Sequence, residues 1–347
     1  MEKLRGGPLS RPTSIKDIAR LANVSHSTVS RALKDSPLIN QETADRVKRI
    51  AREVGYRPSA IARGLVTRRT MMIGVVVTTV SDPFISEVVG GIEDTARRSG
   101  YSVYLAESGA DPERETGVVR SFAERRVDGI VVTASRVGAL YTPLLEEMGV
   151  PIVLVNNQHP GEFVHSIIID NVVGSRLVTD YLIGLGHRKI GYLGDRFGYQ
   201  SDTERFAGYR EALDRHGLPF LPEFFVEGDG KAEGGLAGAE ELLSRPEPPT
   251  AIVCYNDMTA MGALRAAHRR GVRIPADLSM TGFDDLAIAS FFTPPLTTVR
   301  QPMRQMGRLA IETLLSLLAH RAAGATVRVP VELVVRESTA PPPNRGK

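Results

Sequence analysis

The chain has 347 residues, 42% hydrophobic and 24% charged, which is too long for one modest domain and enough for a large core. Its single cysteine, Cys254, excludes an intrachain disulfide, its apolar runs are too short to span a bilayer, and its first residues lack the apolar core of a secretion signal, so a soluble cytoplasmic protein is expected. The net charge of +3 hides an asymmetry: residues 1–70 hold 15 Lys and Arg against 6 Asp and Glu, a net +9, and the remainder 28 against 34, a net −6.

A basic segment ahead of an acidic body is the footprint of a polyanion-binding piece joined to one that binds no polyanion. Residues 1–13, with Gly6, Gly7, Pro8 and Pro12 and no apolar period, are expected to form a disordered arm. Ser14 and Asp17 make a capping box for a helix whose apolar positions are Ile15, Ile18, Ala19 and Ala22, with Asn23 ending it. Ser25 then caps a second helix, with Val24 and Val29 as a hydrophobic staple and Val29, Ala32 and Leu33 as its narrow apolar face. The opposite face, His26, Ser27, Ser30 and Arg31, offers hydroxyls and a cation but no carboxylate, which suits phosphates and base edges. A third helix starts near Asn40, carries Ala44, Val47, Ile50, Ala51 and Val54 on one face, and stops at Gly55. Two short helices joined by a tight turn are the helix-turn-helix unit, whose second helix enters the major groove. The headpiece is set at 14–57.

Residues 58–70 read as a connector: Pro58 disfavours helix at Arg57, and Ala60 to Val66 could make about two turns that are marginal in water. From 71 onward apolar strands alternate with amphipathic helices. Strands are expected at 72–78, 101–106, 129–133, 151–155, 166–169, 189–193, 223–227, 250–255 and 278–283, with a helix from Met303 to Ala319. Runs such as IGVVV and GIVV suit strands buried on both faces, hence parallel α/β sheets, with a break near 160.

The strings SIKDIARLANVSHSTVSRAL, GYRPSAIARGL, DPF, RRVDGIVV, LGHRKIGYLG, RFAGYREAL, YNDMTAMGAL, TGFDD, PPLTTVRQP and ELVVREST, in this order, resemble the LacI (lactose repressor) family of bacterial transcription regulators over nearly the whole chain. The resemblance implies a homodimeric repressor of palindromic double-stranded operator DNA under small-molecule control, with an all-α helix-turn-helix headpiece and an α/β effector domain. That domain would have two parallel-sheet lobes, similar to periplasmic sugar-binding proteins. Lobe 1 would hold about 71–160 and 291–325, lobe 2 about 161–290 and 326–340, with hinges near 160, 290 and 325 and a tail at 341–347. His26, Ser27 and Arg31 would meet base edges, and Ser14, Lys16, Ser25, Thr28 and Ser30 phosphates. In the connector, Leu65 would be the minor-groove wedge, with Arg63 among the DNA contacts. The ending APPPNRGK, without a heptad extension, favours a dimer over a tetramer.

Ligands of open α/β sheets sit beyond the carboxyl ends of the strands. Those ends hold Thr79, Phe84, Asn156, Asp170, Asn256 with Asp257, and Asp284 with Asp285, and Ser201 and Arg205 lie on the helix ERFAGYREAL. Acceptors, a forked donor and a flat ring fit a polyol, so a carbohydrate effector is expected, with Asn256 facing it and Asp257 capping a helix. The resemblance implies that Arg205, in the RFAGY motif, and Asp284 rather than Asp285 are ligand contacts. Gly230 stands where some relatives place an aromatic. The seven histidines do not cluster at metal-ligand spacing, His187 reads as a structural turn contact, and no phosphate loop or nucleophile elbow is present. No cofactor and no catalysis are expected; the rival reading is a sugar-modifying enzyme. Inducer versus corepressor stays open, and release by a sugar is the family's suggestion.

Overall fold

The helix ends of the headpiece follow from short polar signals. The computed structural model describes residues 13–56, 69–135, 137, 148–158, 165–321 and 326–343. The amino-terminal arm, the connector with Arg63 and Leu65, and the segments near 160 and 325 expected to be hinges lie outside the described residues. The chain divides into two compact units, up to Thr70 and from Met71 on.

In the first unit, α1 (Ile15–Ala22) begins at the Ser14/Asp17 capping box and ends at Asn23, whose φ of 51° is left-handed. The α2 helix (His26–Ala32) begins where the Ser25 hydroxyl accepts the Thr28 N–H at 3.1 Å. The α3 helix (Gln41–Glu53) is capped by Asn40. Ile18, Ala22, Val29, Ala32, Ala44, Val47 and Ala51 close a small core of their own.

The second unit contains two parallel sheets. Its elements are β1 (Met72–Val77), α4 (Pro83–Arg98), β2 (Ser102–Glu107), α5 (Pro112–Glu124), β3 (Gly129–Thr133), β4 (Ile152–Val155), β5 (Ser166–Ile169), α6 (Asn171–Gly184), β6 (Ile190–Asp195) and α7 (Gln200–Arg215). Then follow β7 (Phe225–Gly228), α8 (Ala232–Leu243), β8 (Ala251–Cys254), α9 (Asp257–Arg269), β9 (Ser279–Thr281), β10 (Thr298–Arg300), α10 (Met303–Leu318), β11 (Val327–Val329) and β12 (Glu332–Val334). The first sheet runs β11-β5-β4-β3-β1-β2 and the second β7-β6-β8-β9, each parallel throughout. The small antiparallel pair β10-β12 lies on the crossing between them.

One expected boundary shifts. Residues 166–169 and 327–329, assigned by sequence to the second lobe, pair in the first sheet, Leu154 with Ser166 and Val327 with Ile167. SIII is buried on both sides and finds its ladder partners beside β4, so the chain changes sheets at Asp170 and not near 160. The crossing near 290 is described: Thr297 bridges to Thr281 and Arg300 to Asp284, which ties PPLTTVRQP to the edge of the second sheet.

Candidate functional site

The exposed side of α2 keeps the chemistry expected for a groove. Val29 and Ala32 are fully buried, while His26, Ser27 and Arg31 are exposed and Thr28 and Ser30 half-buried. Lys16 is exposed on α1. Ser14 and Ser25 are committed locally: Ser14 Oγ donates to Asp17 at 2.6 Å, and Ser25 Oγ lies 2.8 Å from both Ser27 Oγ and Thr28 Oγ1.

In the second unit a cavity of about 500 Å³ opens at the carboxyl ends of both sheets. From the first sheet come Thr79 and Phe84 after β1 and Asn156 after β4; from the second come Arg205, Asn256 after β8 and Asp284 after β9. Asn156 (φ 53°), Asp284 (φ 126°) and Asp285 (φ 58°) all sit in left-handed or rarer backbone regions, a concentration of strain that marks functional mouths.

The floor is built around Arg205. Its Nε donates to Asn171 Oδ1 at 3.0 Å and its Nη1 to the Tyr255 carbonyl at 2.7 Å, and Nη2 stands 3.8 Å from Asp284 Oδ1. The guanidinium lies 3.8 Å from the centroid of the Phe283 ring. Burial holds the Asp284 carboxyl above the usual carboxylate range, with Arg205 opposing and Asp82 adding to the rise.

Two expected cleft residues stand elsewhere. Asp170 caps α6 through the Val173 N–H at 2.9 Å and faces Arg328 at 3.5 Å, a consequence of β5 joining the first sheet. Ser201 is buried behind the wall: its N–H donates to Gln158 Oε1 at 3.0 Å and its hydroxyl meets Tyr255 OH at 2.7 Å. The cap expected from Asp257 is made by Asn256, whose Oδ1 accepts the Thr259 N–H at 2.8 Å and whose Nδ2 donates to the Gly230 carbonyl. Asp257 is instead fully buried and accepts from Thr298 Oγ1 at 2.6 Å and the Leu286 N–H at 2.8 Å. Asp285 pairs with Arg300 at 2.6 Å, leaving Asp284 to line the cavity. His187 spans Thr250, Ser279 and the Ala340 carbonyl, a buried structural brace.

Asp195, Asp229, Tyr255, Gln158 and Gln301 also line the cavity and were not anticipated. Asp195 and Asp229 terminate GYLGD and FVEGD, so the strand-end rule reaches them; Gln301 arrives from a distant crossing with no local signal. Gly230 has φ 69°, and a Cβ there would stand 3.0 Å from Asp195 Oδ2 and 3.3 Å from the Tyr255 ring, so Tyr255 supplies the aromatic beside that wall.

Beneath the wall, Asp202 accepts from Tyr192 OH at 3.0 Å, and burial pushes its carboxyl up to about 6 from an ordinary 3.8. A carboxyl that holds its proton more tightly when folded favours the fold most below about pH 4, and that contribution falls as pH rises through about 6. Asp202→Asn should therefore flatten the dependence of melting temperature between pH 4 and pH 7 and raise stability at pH 7.5. An unchanged pH profile would assign the slope to other groups.

Two matches cover most of the chain's described architecture. Residues 14–59 match the model of bacterial regulatory proteins of the lacI family, and residues 179–339 a periplasmic binding protein-like domain. The transcriptional repressor CytR of Escherichia coli K12 is 35% identical over 329 residues, 94% of this chain and 96% of the relative. The chain belongs to the LacI family. It is accordingly a helix-turn-helix transcriptional repressor and not an enzyme. The lac repressor dimer bound to operator and the anti-inducer ONPF superposes with a TM-score of 0.87 at 29% identity, covering 95% of this chain and all of that one. The transcriptional regulator CelR with cellobiose superposes at 0.71 and 32% identity, covering 94% of this LacI-family chain and all of that one. None of the described helices is long and apolar enough to cross a membrane.

Proposed function

We propose that the protein is a cytoplasmic repressor that binds a pseudo-palindromic operator as a homodimer and is switched by a small carbohydrate or sugar derivative held in the cleft. The cavity at the strand ends, floored by Arg205 and Asp284, carries the effector half of this reading. Thr79, Phe84, Asn156 and Asn256 would complete the contacts, with Ser201 acting through Tyr255. Exposed apolar side chains support self-association: Tyr104 and Leu105 on the edge strand β2, and Ile288 and Phe291, the last 82% exposed.

His26, Ser27 and Arg31 would read base edges, with Lys16, Thr28 and Ser30 and the caps Ser14 and Ser25 on the phosphate side, and Arg63 and Leu65 completing the contacts. Arg31→Ala should weaken operator binding by about 1–3 kcal/mol and relax selectivity at one base pair. Anisotropy titration against a randomised palindrome library checks both; equal loss on every sequence would make Arg31 a phosphate contact only. Adding sugars to the same titration tests the switch, since an effector acts only by binding the two states unequally. Operator affinity unchanged by every sugar that binds the cleft would overturn the effector half of this reading.

A further inference from the structure

The cleft is acidic. Among the described residues its charged lining is Asp82, Asp195, Asp229 and Asp284 against Arg205 and Lys231, and it stays net negative even if Asp284 keeps its proton. Four of the backbone donors near its mouth, which could otherwise hold an anion, are already taken by the chain's own carboxylates. Asp82 takes the Phe84 N–H at 2.9 Å, Asp195 takes Phe197 N–H at 2.6 Å, and Asp229 takes both the Lys231 N–H at 2.9 Å and the Gly234 N–H at 3.0 Å. Arg205 gives two of its five N–H donors to Asn171 and Tyr255, and its charge faces Asp284 at 3.8 Å.

Among the buried side-chain atoms of this lining, one is left without a partner, and it is an acceptor. Gln301 is 2% exposed and lines the cavity. Its Nε2 donates to Asp284 Oδ1 at 2.5 Å, an orientation the amide holds while Asp284 is ionised opposite Arg205, because a carboxylate only accepts. Oε1 is then buried with no hydrogen-bond partner among the described residues. A buried acceptor without a donor costs about 1–3 kcal/mol, and a ligand hydroxyl or N–H would recover it. A phosphate dianion brings only acceptors.

We propose that the effector carries no phosphate or other anionic group, and is held through hydroxyl or amine donors of its own, one of them to Gln301 Oε1. This rests on the cleft being the effector site. It separates free sugars and nucleosides, which the cleft accepts, from their phosphate esters, which it rejects.

Two measurements on the full-length protein test it. In the first, thermal shift and calorimetry compare matched pairs: ribose with ribose 5-phosphate, glucose with glucose 6-phosphate and adenosine with adenosine monophosphate, plus inorganic phosphate alone. Any parent that binds should lose at least about tenfold in affinity on phosphorylation, one decade being about 1.4 kcal/mol. A phosphate ester that binds more tightly than its parent overturns the proposal. The second needs no known ligand. The chain has no tryptophan, so Tyr199→Trp places one fluorophore on the cleft wall. Caesium should quench it more than iodide does, by about twofold relative to free N-acetyltryptophanamide in the same buffer, as a negative cleft requires. Preferential quenching by iodide overturns the proposal. Caesium preference with no response to any neutral sugar or nucleoside would instead tell against the effector reading.

Discussion

Arg205→Ala should both destabilise the second unit and abolish most effector affinity. Substitution removes the donors that satisfy Asn171 Oδ1 and the Tyr255 carbonyl, and strips Asp284 of its counter-charge in a site where both side chains are almost wholly buried. Breaking a buried ion pair from one side typically costs about 3–5 kcal/mol, because the surviving charge is left uncompensated. The packing of the guanidinium on Phe283 is lost with it. The deficit should shrink on acidification, since Asp284, already held above the usual range, can take up a proton in the absence of Arg205. For the same reason Asp284→Asn in the Arg205→Ala background should restore part of the stability. Arg205→Lys keeps the charge but not the fork, so it should recover folding better than binding. Chemical denaturation and effector titration read the two effects separately. Wild-type stability in Arg205→Ala would overturn this account of the floor.

Gly307→Ala should be the second severe change, costing about 3 kcal/mol. The α4 and α10 helices come from opposite ends of the second unit's sequence and touch backbone to backbone: a Cβ on Gly307 would stand 2.1 Å from the Val88 carbonyl oxygen, and one on Gly91 2.1 Å from that of Arg304. Neither neighbour is a flexible side-chain tip, so the helices must separate, and overpacking of this kind costs about 1–3 kcal/mol or more. Gly117→Ala supplies the control. It is also helical, nothing lies within 4 Å of its added Cβ, and the change should stabilise by about 0.5–1 kcal/mol through helix propensity and the unfolded chain. Urea midpoints moving in the same direction for both would refute the packing argument.

The headpiece was legible because its instructions are local. Capping residues within three positions of the helix they start, and apolar residues at helical spacing, locate α1, α2 and α3 without reference to the rest of the chain. The strands were legible for a similar reason, since a run buried on both faces has to be apolar throughout. Asp170 shows where that stops. Its place after an apolar run marks it as a strand end, but which sheet the strand joins depends on the free edge beside β4, and with it whether the carboxylate looks into the cleft or toward Arg328.

The LacI-family assignment, the helix-turn-helix face and the candidates Thr79, Phe84, Asn156 and Asn256 were therefore available from the amino-acid order, because each depends on its neighbours or on a strand-end rule, while Arg205 and the choice of Asp284 over Asp285 came through the family resemblance. The Arg205 floor, the unpartnered Gln301 acceptor and the glycine contact between α4 and α10 were decided only by tertiary structure. Each joins residues tens to hundreds of positions apart, so their distances and free valences depend on how the sheets and crossings pack, which no local pattern encodes.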